Sequence, residues 1–315
     1  MKTTEAHAVA ILLSLFALQQ TFMAAALGAP VVHETGKSIE VFANGPLVQY
    51  VNGLALQPGG GLYASTYAGK ILAISPGGVM QQIADLSATA TTLSNIAVDE
   101  DGLILVGDAS AVSSNNIWQI EPSTGAATLV YAYSYSPTDI HLDPSGDMLV
   151  VERLGDQGVY RIARDGSSRD LVFQSGDDYR PTGIDLDAQG NIYVAYRENG
   201  LIYRVPLVGS PSVITCLPAG ESSSSQLGLS FSTDGDLFVS NDETGNIYRI
   251  GSNGTTATLF ASGFNRPSYM TFDDLGHMYI AAGGESTVYK VVPEPASLSL
   301  LALGGLAVFR RRRRK

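Results

Sequence analysis

The stretch Gly-Ile-Asp-Leu-Asp-Ala-Gln-Gly-Asn-Ile-Tyr-Val-Ala, from Gly183 to Ala195, decides the fold. Apolar and polar residues alternate from Ile184, and the same period of two continues up to Val194, which is typical of two β-strands. The segment between them, Asp187 to Asn191, has the composition of a tight turn, and Gly190 can adopt the positive φ that such a turn needs. The stretch therefore predicts a β-hairpin.

This hairpin pattern occurs six times, at intervals of 41 to 45 residues. Each copy has an apolar anchor residue and a glycine six positions later. The anchors are Leu54, Ile96, Ile140, Ile184, Leu229 and Met270, and the glycines are Gly60, Gly102, Gly146, Gly190, Gly235 and Gly276. Each copy also contains a third strand pattern, such as Ile247–Ile250, and five copies contain a fourth. Four short strands in a repeat of this length indicate a propeller blade. We therefore predict an all-β, six-bladed β-propeller of four-stranded blades over residues 37–292.

The sixth copy lacks its fourth strand, because the chain continues into a Pro-Glu-Pro segment after Val292. The missing strand is present at the other end of the chain. The segment Ser38–Gly45 resembles Thr256–Gly263, the fourth strand of the fifth copy, and both lead into the next anchor. An N-terminal strand that includes Ser38 to Phe42 is therefore predicted to complete the last blade and close the ring.

The repeats resemble those of NHL-repeat and SMP-30/gluconolactonase-like propellers, most clearly at Pro181–Ala195 and Arg266–Ile280. The resemblance implies a fold rather than an activity. SMP-30-like lactonases hold a divalent cation such as calcium at the central channel, and Asn52 lies in an Asn-Gly-Leu segment similar to one that supplies a ligand. The family's Pro-Asp-Gly segment is replaced here by Pro-Thr-Gly with Thr182, so its carboxylate is missing.

Both ends of the chain have the composition of targeting segments. Residues 1–26, with an apolar run and small residues near Ala26, predict a secretory signal peptide. Residues 293–315 contain Pro293-Glu294-Pro295, an apolar run at 296–309 and six terminal cations. This order resembles the PEP-CTERM sorting signal. The resemblance implies a short transmembrane helix, an exosortase-type membrane protease as partner, and delivery to the cell surface or the extracellular space.

The charge of the chain excludes one class of partner. The full sequence has a net charge of −11. Without residues 1–26 and the six terminal cations, and with Glu294 retained, 12 basic and 29 acidic residues remain, a net of −17. Such a surface repels nucleic acid. We expect a soluble monomer that binds a surface glycan, a protein or a small molecule.

Candidate site residues lie on the face at which the innermost strand of each blade begins, here called the upper face. Two positions before the anchors, the inner ring has the side chains of Asn52, Ser94, Thr138, Thr182, Leu227 and Ser268, all of them neutral. The adjoining loops carry charged or polar residues, and the predicted ligand-binding face comprises Asn52, Asp108, Glu152, Arg153, Arg197, Asn241 and Asp242. A non-catalytic binding or scaffold module is our first hypothesis. A calcium-type metal-dependent lactonase or related hydrolase, with Asn52 as the candidate ligand, is the alternative.

Three other residues could suggest chemistry. Asp139 and His141 lie two apart in an inner strand, where a histidine is more often a hydrogen-bonded structural residue than a metal ligand. Cys216 is the one cysteine of the sequence, so it forms no disulfide within the chain. Its apolar neighbours predict a small buried residue.

Overall fold

A computed structural model describes residues 29–294 except 91, 110–114, 134, 177–178, 222–225 and 252–253. Two strands precede the repeats, β1 (Val31–Val32) and β2 (Lys37–Asn44). Blade 1 consists of β3 (Val51–Leu56), β4 (Leu62–Thr66), β5 (Lys70–Ile74) and β6 (Met80–Asp85), and blade 2 of β7 (Leu93–Val98), β8 (Ile104–Asp108), β9 (Asn115–Glu121) and β10 (Ala126–Tyr133). Blade 3 consists of β11 (Pro137–Leu142), β12 (Met148–Glu152), β13 (Val159–Ile162) and β14 (Arg169–Phe173).

The second half of the chain repeats this arrangement. Blade 4 consists of β15 (Pro181–Leu186), β16 (Ile192–Tyr196), β17 (Leu201–Val205) and β18 (Ser212–Cys216), and blade 5 of β19 (Leu227–Phe231), β20 (Leu237–Asn241), β21 (Asn246–Ile250) and β22 (Ala257–Ser262). Blade 6 contains β23 (Pro267–Phe272), β24 (Met278–Ala282) and β25 (Thr287–Pro293). Two 3₁₀ turns, Pro46–Val48 and Gly283–Glu285, lie in upper-face loops. The predicted six-bladed, all-β propeller is confirmed.

Ring closure by the N-terminal strand is also confirmed. β2 pairs with β25 in antiparallel register, from Lys37 opposite Pro293 to Asn44 opposite Thr287, and thereby becomes the fourth strand of blade 6. β1 adds a short fifth strand to the outer edge of blade 5, where it pairs with β22. Blade 6 thus contains strands from both ends of the chain, and β25 is paired on both of its sides.

The six repeat glycines lie in the hairpins that join the first and second strands of the blades. These hairpins are on the side of the propeller opposite to the upper face, which we call the lower face. All six glycines have positive φ, between 76° and 100°, which residues with a Cβ rarely adopt. At the deciding stretch, the Oδ1 of Asp187 accepts the backbone N–H groups of Gln189 and Asn191 at 3.0 and 2.9 Å. Aspartates at the same place in blades 2, 3 and 6 cap their turns in the same way. Asp99, Asp143, Asp187 and Asp273 therefore stabilise the turns in which they lie.

The core lies between neighbouring blades and not at the axis. The cluster shared by blades 3 and 4, for example, joins Leu149 and Val151 to Ile184 and Val194, all at most 2% exposed. The outermost strand of each blade is partly exposed to solvent. The prediction that Cys216 is buried was wrong: Cys216 is exposed, because its side chain lies on the solvent-facing side of β18, where successive side chains point to opposite sides.

The described chain contains no helix long and apolar enough to cross a membrane. The predicted transmembrane helix at 296–309 and the signal peptide at 1–26 both lie outside the described residues.

Candidate functional site

The inner ring lies at the upper end of the central channel, where the first strand of each blade begins. All six side chains are at most 7% exposed. Thr182 Oγ1 donates to the carbonyl of Leu227 in the next blade at 3.1 Å, and Ser268 Oγ donates to the carbonyl of Asn52 at 2.8 Å. The side chains of Thr182 and Ser268 therefore connect neighbouring blades, and because all six side chains are buried, little of the ring is open to a ligand.

Tyr269 closes the channel just below this ring. Its side chain starts from β23 in blade 6, and its hydroxyl group donates to the carbonyls of Thr138 in blade 3 at 2.6 Å and of Thr182 in blade 4 at 3.0 Å. Since blade 3 lies across the ring from blade 6, the phenol ring must cross the axis. Burial, reinforced by Asp139, raises the pKa of Tyr269 well above its ordinary value, so the hydroxyl group remains a donor. Tyr269 is fully buried and fills the axis.

A calcium ion does not fit this arrangement. Asn52 donates through Nδ2 to the carbonyl of Leu93 at 2.8 Å, and its Oδ1 is buried without a hydrogen bond in the described structure, so it offers one neutral oxygen. A hard cation needs six or more oxygen ligands, usually with carboxylates. Among the residues the structure describes, no group of three or more His, Cys, Asp or Glu side chains is arranged to hold a metal ion.

The predicted loop residues occupy different environments. Glu152 ends β12, is fully buried and pairs with Arg169 at 2.7 Å, so it points away from the axis. Asn241 is also buried, and its side chain binds Glu221 through Nδ2, at 2.8 Å from the backbone carbonyl. Asp108 ends β8 and is buried as well. These three side chains are parts of the loop structure.

Arg153, Arg197 and Asp242 lie nearer to the axis. Asp242 Oδ1 accepts the N–H of Gln226 at 2.8 Å, and Asp242 Oδ2 lies 3.7 Å from the guanidinium of Arg266. Arg197 is 6% exposed and pairs with Glu198 at 2.9 Å.

Arg153 lies in the β12–β13 loop of blade 3. Its guanidinium is close enough to Tyr269 of blade 6 and to Tyr67 of blade 1 to interact electrostatically with both. The Tyr67 hydroxyl group donates to Gln226 Oε1 at 3.2 Å, so the side chains of blades 1, 3 and 5 meet here. The upper-face centre, as we call it, comprises Tyr50, Tyr67, Arg153, Gln226, Asp242 and Arg266. Sequence reasoning identified Arg153 and Asp242 but missed the other four.

Backbone strain is concentrated on the upper face. In the described part of the chain, the non-glycine residues with left-handed φ are Tyr50, Gln157, Arg266 and Ser286, with φ of 53° to 57°, and all four lie in upper-face loops. Each such residue costs about 1–3 kcal/mol, and strain of this kind is concentrated at functional sites. Two of the four, Tyr50 and Arg266, line one small depression together with Tyr67 and Asp242.

Below Tyr269 the channel widens into a cavity of about 400 Å³, lined by all six inner strands. His141 from blade 3 binds Asp185 from blade 4 through Nε2 at 2.7 Å, and its Nδ1 lies 2.8 Å from the carbonyl of Leu142. Both nitrogens face acceptors, so both carry protons and neither can act as a base. Asp185 also accepts the N–H of Phe231 in blade 5 at 2.6 Å. His141 is thus a structural residue, as its place in an alternating strand predicts.

The stability of the protein is expected to fall as pH rises from about 6 to 9. Burial raises the pKa of Asp139 to about 8, against the opposing hydrogen bonds from Ile184 and Asn95. Burial alone would lower the pKa of His141, but Asp185 raises it to about 9. Both groups bind their protons more tightly in the folded state. Their contribution is complete below the unfolded pKa values and is lost as pH rises through 8 and 9. We expect a loss of at least about 1.4 kcal/mol, one pKa unit, in urea unfolding measured across this range.

Asp139→Asn is expected to make the free energy of unfolding fall less steeply between pH 6 and 9, because it removes the carboxyl group whose pKa is raised to about 8. Asp165→Asn is the matched control: its carboxylate is exposed and its pKa is lowered by hydrogen bonds from Ser167, so it does not titrate above pH 6. A stability that is level or rises between pH 6 and 9 would contradict the assignment.

Comparisons with known proteins agree with this fold and add a motif. The PEP-CTERM protein-sorting motif matches residues 291–314. None of the curated proteins matches the sequence. Among solved structures, a gluconolactonase from Xanthomonas campestris superimposes with a TM-score of 0.67 at 16% identity, covering 84% of this chain and 95% of its own.

Two further similar structures have other roles. A virginiamycin B lyase from Staphylococcus aureus matches with a TM-score of 0.59 at 14% identity, covering 81% of this chain and 99% of its own. An auxiliary nutrient binding protein from Bacteroides thetaiotaomicron matches with a TM-score of 0.64 at 12% identity, covering 82% and 77%. A hydrolase, a lyase and a binding protein thus share one architecture. This chain is a six-bladed β-propeller of that architecture, and it carries a PEP-CTERM sorting motif at its C-terminus.

Proposed function

We propose that this protein is exported, held at the membrane by its C-terminal tail during sorting, and displayed as a non-catalytic binding module whose upper face takes the ligand. The closed central channel is the observation that supports a non-catalytic role. The resemblance to SMP-30-like lactonases implies a cation in the central channel, whereas this chain has the Tyr269 side chain across the axis and an inner ring without charged side chains.

The direction of the last strand supports display of the upper face. β25 is the third strand of its blade and therefore runs toward the lower face, where the N–H of Glu294 donates to the carbonyl of Gly36 at 2.8 Å. The apolar run of the tail begins only two residues later, at Ala296, which is about 7 Å of extended chain. A membrane that holds the tail therefore lies beside the lower face, and the upper face is directed away from it.

Export in this proposal begins with the signal peptide at residues 1–26 and ends with removal of the tail by an exosortase-type protease at the membrane. The product reaches the cell surface or the extracellular space as a strongly acidic monomer. Its charge suits a protein that remains soluble after release.

A metal-dependent lactonase is the second candidate, favoured by the fold shared with a gluconolactonase and by the buried Oδ1 of Asn52 without a hydrogen bond. It would require carboxylates to approach Asn52. Glu152 is engaged by Arg169, and Asp242 binds Gln226 and lies near Arg266. A single amide oxygen does not hold a hard cation.

One preparation tests both parts: protein recovered from the surface or the medium of producing cells. Its intact mass is expected to lack residues 1–26 and the Arg310–Lys315 cluster. The same material is expected to show no turnover in a screen of lactones and esters, with or without EDTA.

Asn52→Ala is the matched variant for the screen. Turnover that EDTA abolishes and Asn52→Ala loses would overturn the binding proposal in favour of the lactonase. A recovered mass that retains the arginine cluster would contradict removal of the tail and leave the question of catalysis to the screen.

A further inference from the structure

The lower face carries the most exposed large apolar side chains of the described chain. Four residues are between 66% and 91% exposed, and all four lie in turns of that face: Val79, Leu207, Val208 and Leu275. Every other exposed large apolar residue within the described ranges is at most 55% exposed and lies in an outer strand or in an upper-face loop. Apolar side chains that project almost fully into solvent are therefore concentrated on one side of the propeller.

These four side chains lie on two opposite sides of the lower face. Leu207 and Val208 are in the turn between β17 and β18 of blade 4. Val79 is in the turn between β5 and β6 of blade 1, and Leu275 is in the hairpin between β23 and β24 of the neighbouring blade 6. Blade 4 lies across the ring from blade 1. A flat, extended surface can contact both sides at the same time, whereas a small ligand cannot.

The C-terminal tail indicates which surface this is. Glu294 follows the lower end of β25, and the apolar run begins two residues later, at Ala296. β25 belongs to blade 6, which also carries Leu275, and Val79 is on the next blade of the ring. A lipid bilayer that takes up the apolar run is therefore next to these two side chains. Since the lower face is on one side of a rigid ring, the same bilayer can also reach blade 4.

The charges of the lower face determine which lipids suit it. Glu100 and Asp101 are exposed in the blade 2 hairpin, and Asp165 is exposed in a turn of blade 3. Arg164 compensates for part of this charge, because it pairs with Glu100 at 3.4 Å and with Asp101 at 2.6 Å. The remaining carboxylates repel an anionic surface. A bilayer of zwitterionic lipid, which has no net charge, suits this face better than an anionic bilayer.

We propose that the lower face is a membrane-binding surface, which inserts four side chains into the interface of a zwitterionic lipid bilayer: Val79, Leu207, Val208 and Leu275. This inference rests on the proposed function, because the tail brings the lower face to the membrane. It adds a contact that does not depend on the tail and that keeps the upper face directed outward. A few aliphatic groups give reversible binding, as a single acyl chain does, so the protein can still be released.

Flotation with lipid vesicles tests the proposal on the propeller without its tail, residues 27–294. This part contains every strand of the six blades, including the closing pair of β2 and β25, so its fold does not need the tail. We expect it to float with phosphatidylcholine vesicles. We expect it to bind at least about threefold more weakly when part of the lipid is phosphatidylglycerol, because the acidic lower face is then repelled.

Replacing two of the inserted side chains tests which residues make the contact. Leu207→Ser combined with Val208→Ser is expected to lower the partition coefficient on phosphatidylcholine vesicles at least about tenfold, because two aliphatic side chains no longer enter the interface. The matched control is Leu171→Ser combined with Val213→Ser. It also removes one leucine and one valine, but from the outer strands β14 and β18, and is expected to leave the partition coefficient unchanged.

Three results would overturn the proposal. The first is a wild-type propeller that does not float, or a control variant that loses as much binding as the Leu207 and Val208 variant. The second is tighter binding in the presence of phosphatidylglycerol, which would show that charge and not apolar insertion holds the protein. The third is a dimer that the Leu207 and Val208 substitutions dissociate, because the apolar turns would then pack against a second copy. None of these results bears on the proposed function, which the intact mass and the lactone screen test.

Discussion

Deleting residues 27–44 is expected to lower the free energy of unfolding by at least about 4 kcal/mol, because it removes the strand that closes the ring. β2 pairs with β25 over the full length from Lys37 to Asn44. The same segment supplies buried Ala43 and partly buried Phe42 to the core between blades 6 and 1, and Ile39 to the core between blades 5 and 6. Without β2, the N–H and C=O groups of β25 become an exposed edge. Urea unfolding followed by far-UV circular dichroism measures the loss.

A shorter deletion provides the control. Removing residues 27–33 eliminates β1, which pairs with β22 over only two residues, and leaves β2 in place. We expect this change to lower the free energy of unfolding much less than the longer deletion does. Equal losses from the two deletions would show that the closing strand has no special role. Retention of the full-length stability after the longer deletion would contradict closure altogether.

The fold could be predicted because its signals are local and repeated. A glycine with positive φ at one fixed place in six hairpins leaves a mark in the sequence that does not depend on long-range packing. The closing strand could be predicted because Ser38–Gly45 resembles the outer strand Thr256–Gly263, which in the structure includes β22. Both signals belong to single strands and hairpins, and the propeller is built by placing such units side by side.

The candidate site was harder to predict because it depends on which way neighbouring side chains point. Glu152 and Arg153 are adjacent, but successive side chains at a strand end point to opposite sides. Glu152 therefore pairs with Arg169 in its own blade, whereas Arg153 interacts electrostatically with Tyr269 and Tyr67 of other blades. Contacts between Tyr67 and Gln226, which are 159 positions apart in sequence, leave no mark in a repeat pattern.

Tyr269 did have a signal that sequence reasoning could have used. One position before the anchor, the other five blades carry Gly53, Asn95, Asp139, Gly183 and Gly228, all small or short side chains. Only blade 6 has an aromatic residue in this column. Because these positions lie around the axis at one height, a single large side chain among small ones is the residue that fills the channel. The column identifies Tyr269 without any structure.

Replacing Tyr269 is therefore expected to have a large effect. Tyr269→Ala should lower the free energy of unfolding by about 3–5 kcal/mol, the range found for large aromatic residues truncated in a core. The ring is fully buried, and its removal joins the space at the upper ring to the cavity of about 400 Å³ below. It also leaves the carbonyls of Thr138 and Thr182 without their shared donor.

Two further variants separate the contributions of the ring and the hydroxyl group. Tyr269→Phe keeps the aromatic ring on the axis and removes only the donor, so its cost is expected to be about 1–3 kcal/mol. Tyr179→Ala, at a loop tyrosine that is 40% exposed, is expected to change stability by less than about 0.5 kcal/mol. The urea unfolding midpoints of the three variants, compared at unchanged m-values, are expected to show the largest loss of stability for Tyr269→Ala, a smaller loss for Tyr269→Phe and almost none for Tyr179→Ala. If Tyr269→Ala were no more destabilising than Tyr179→Ala, the central channel would not depend on the Tyr269 side chain for its packing, and the assignment of Tyr269 as the residue that closes the channel would be wrong.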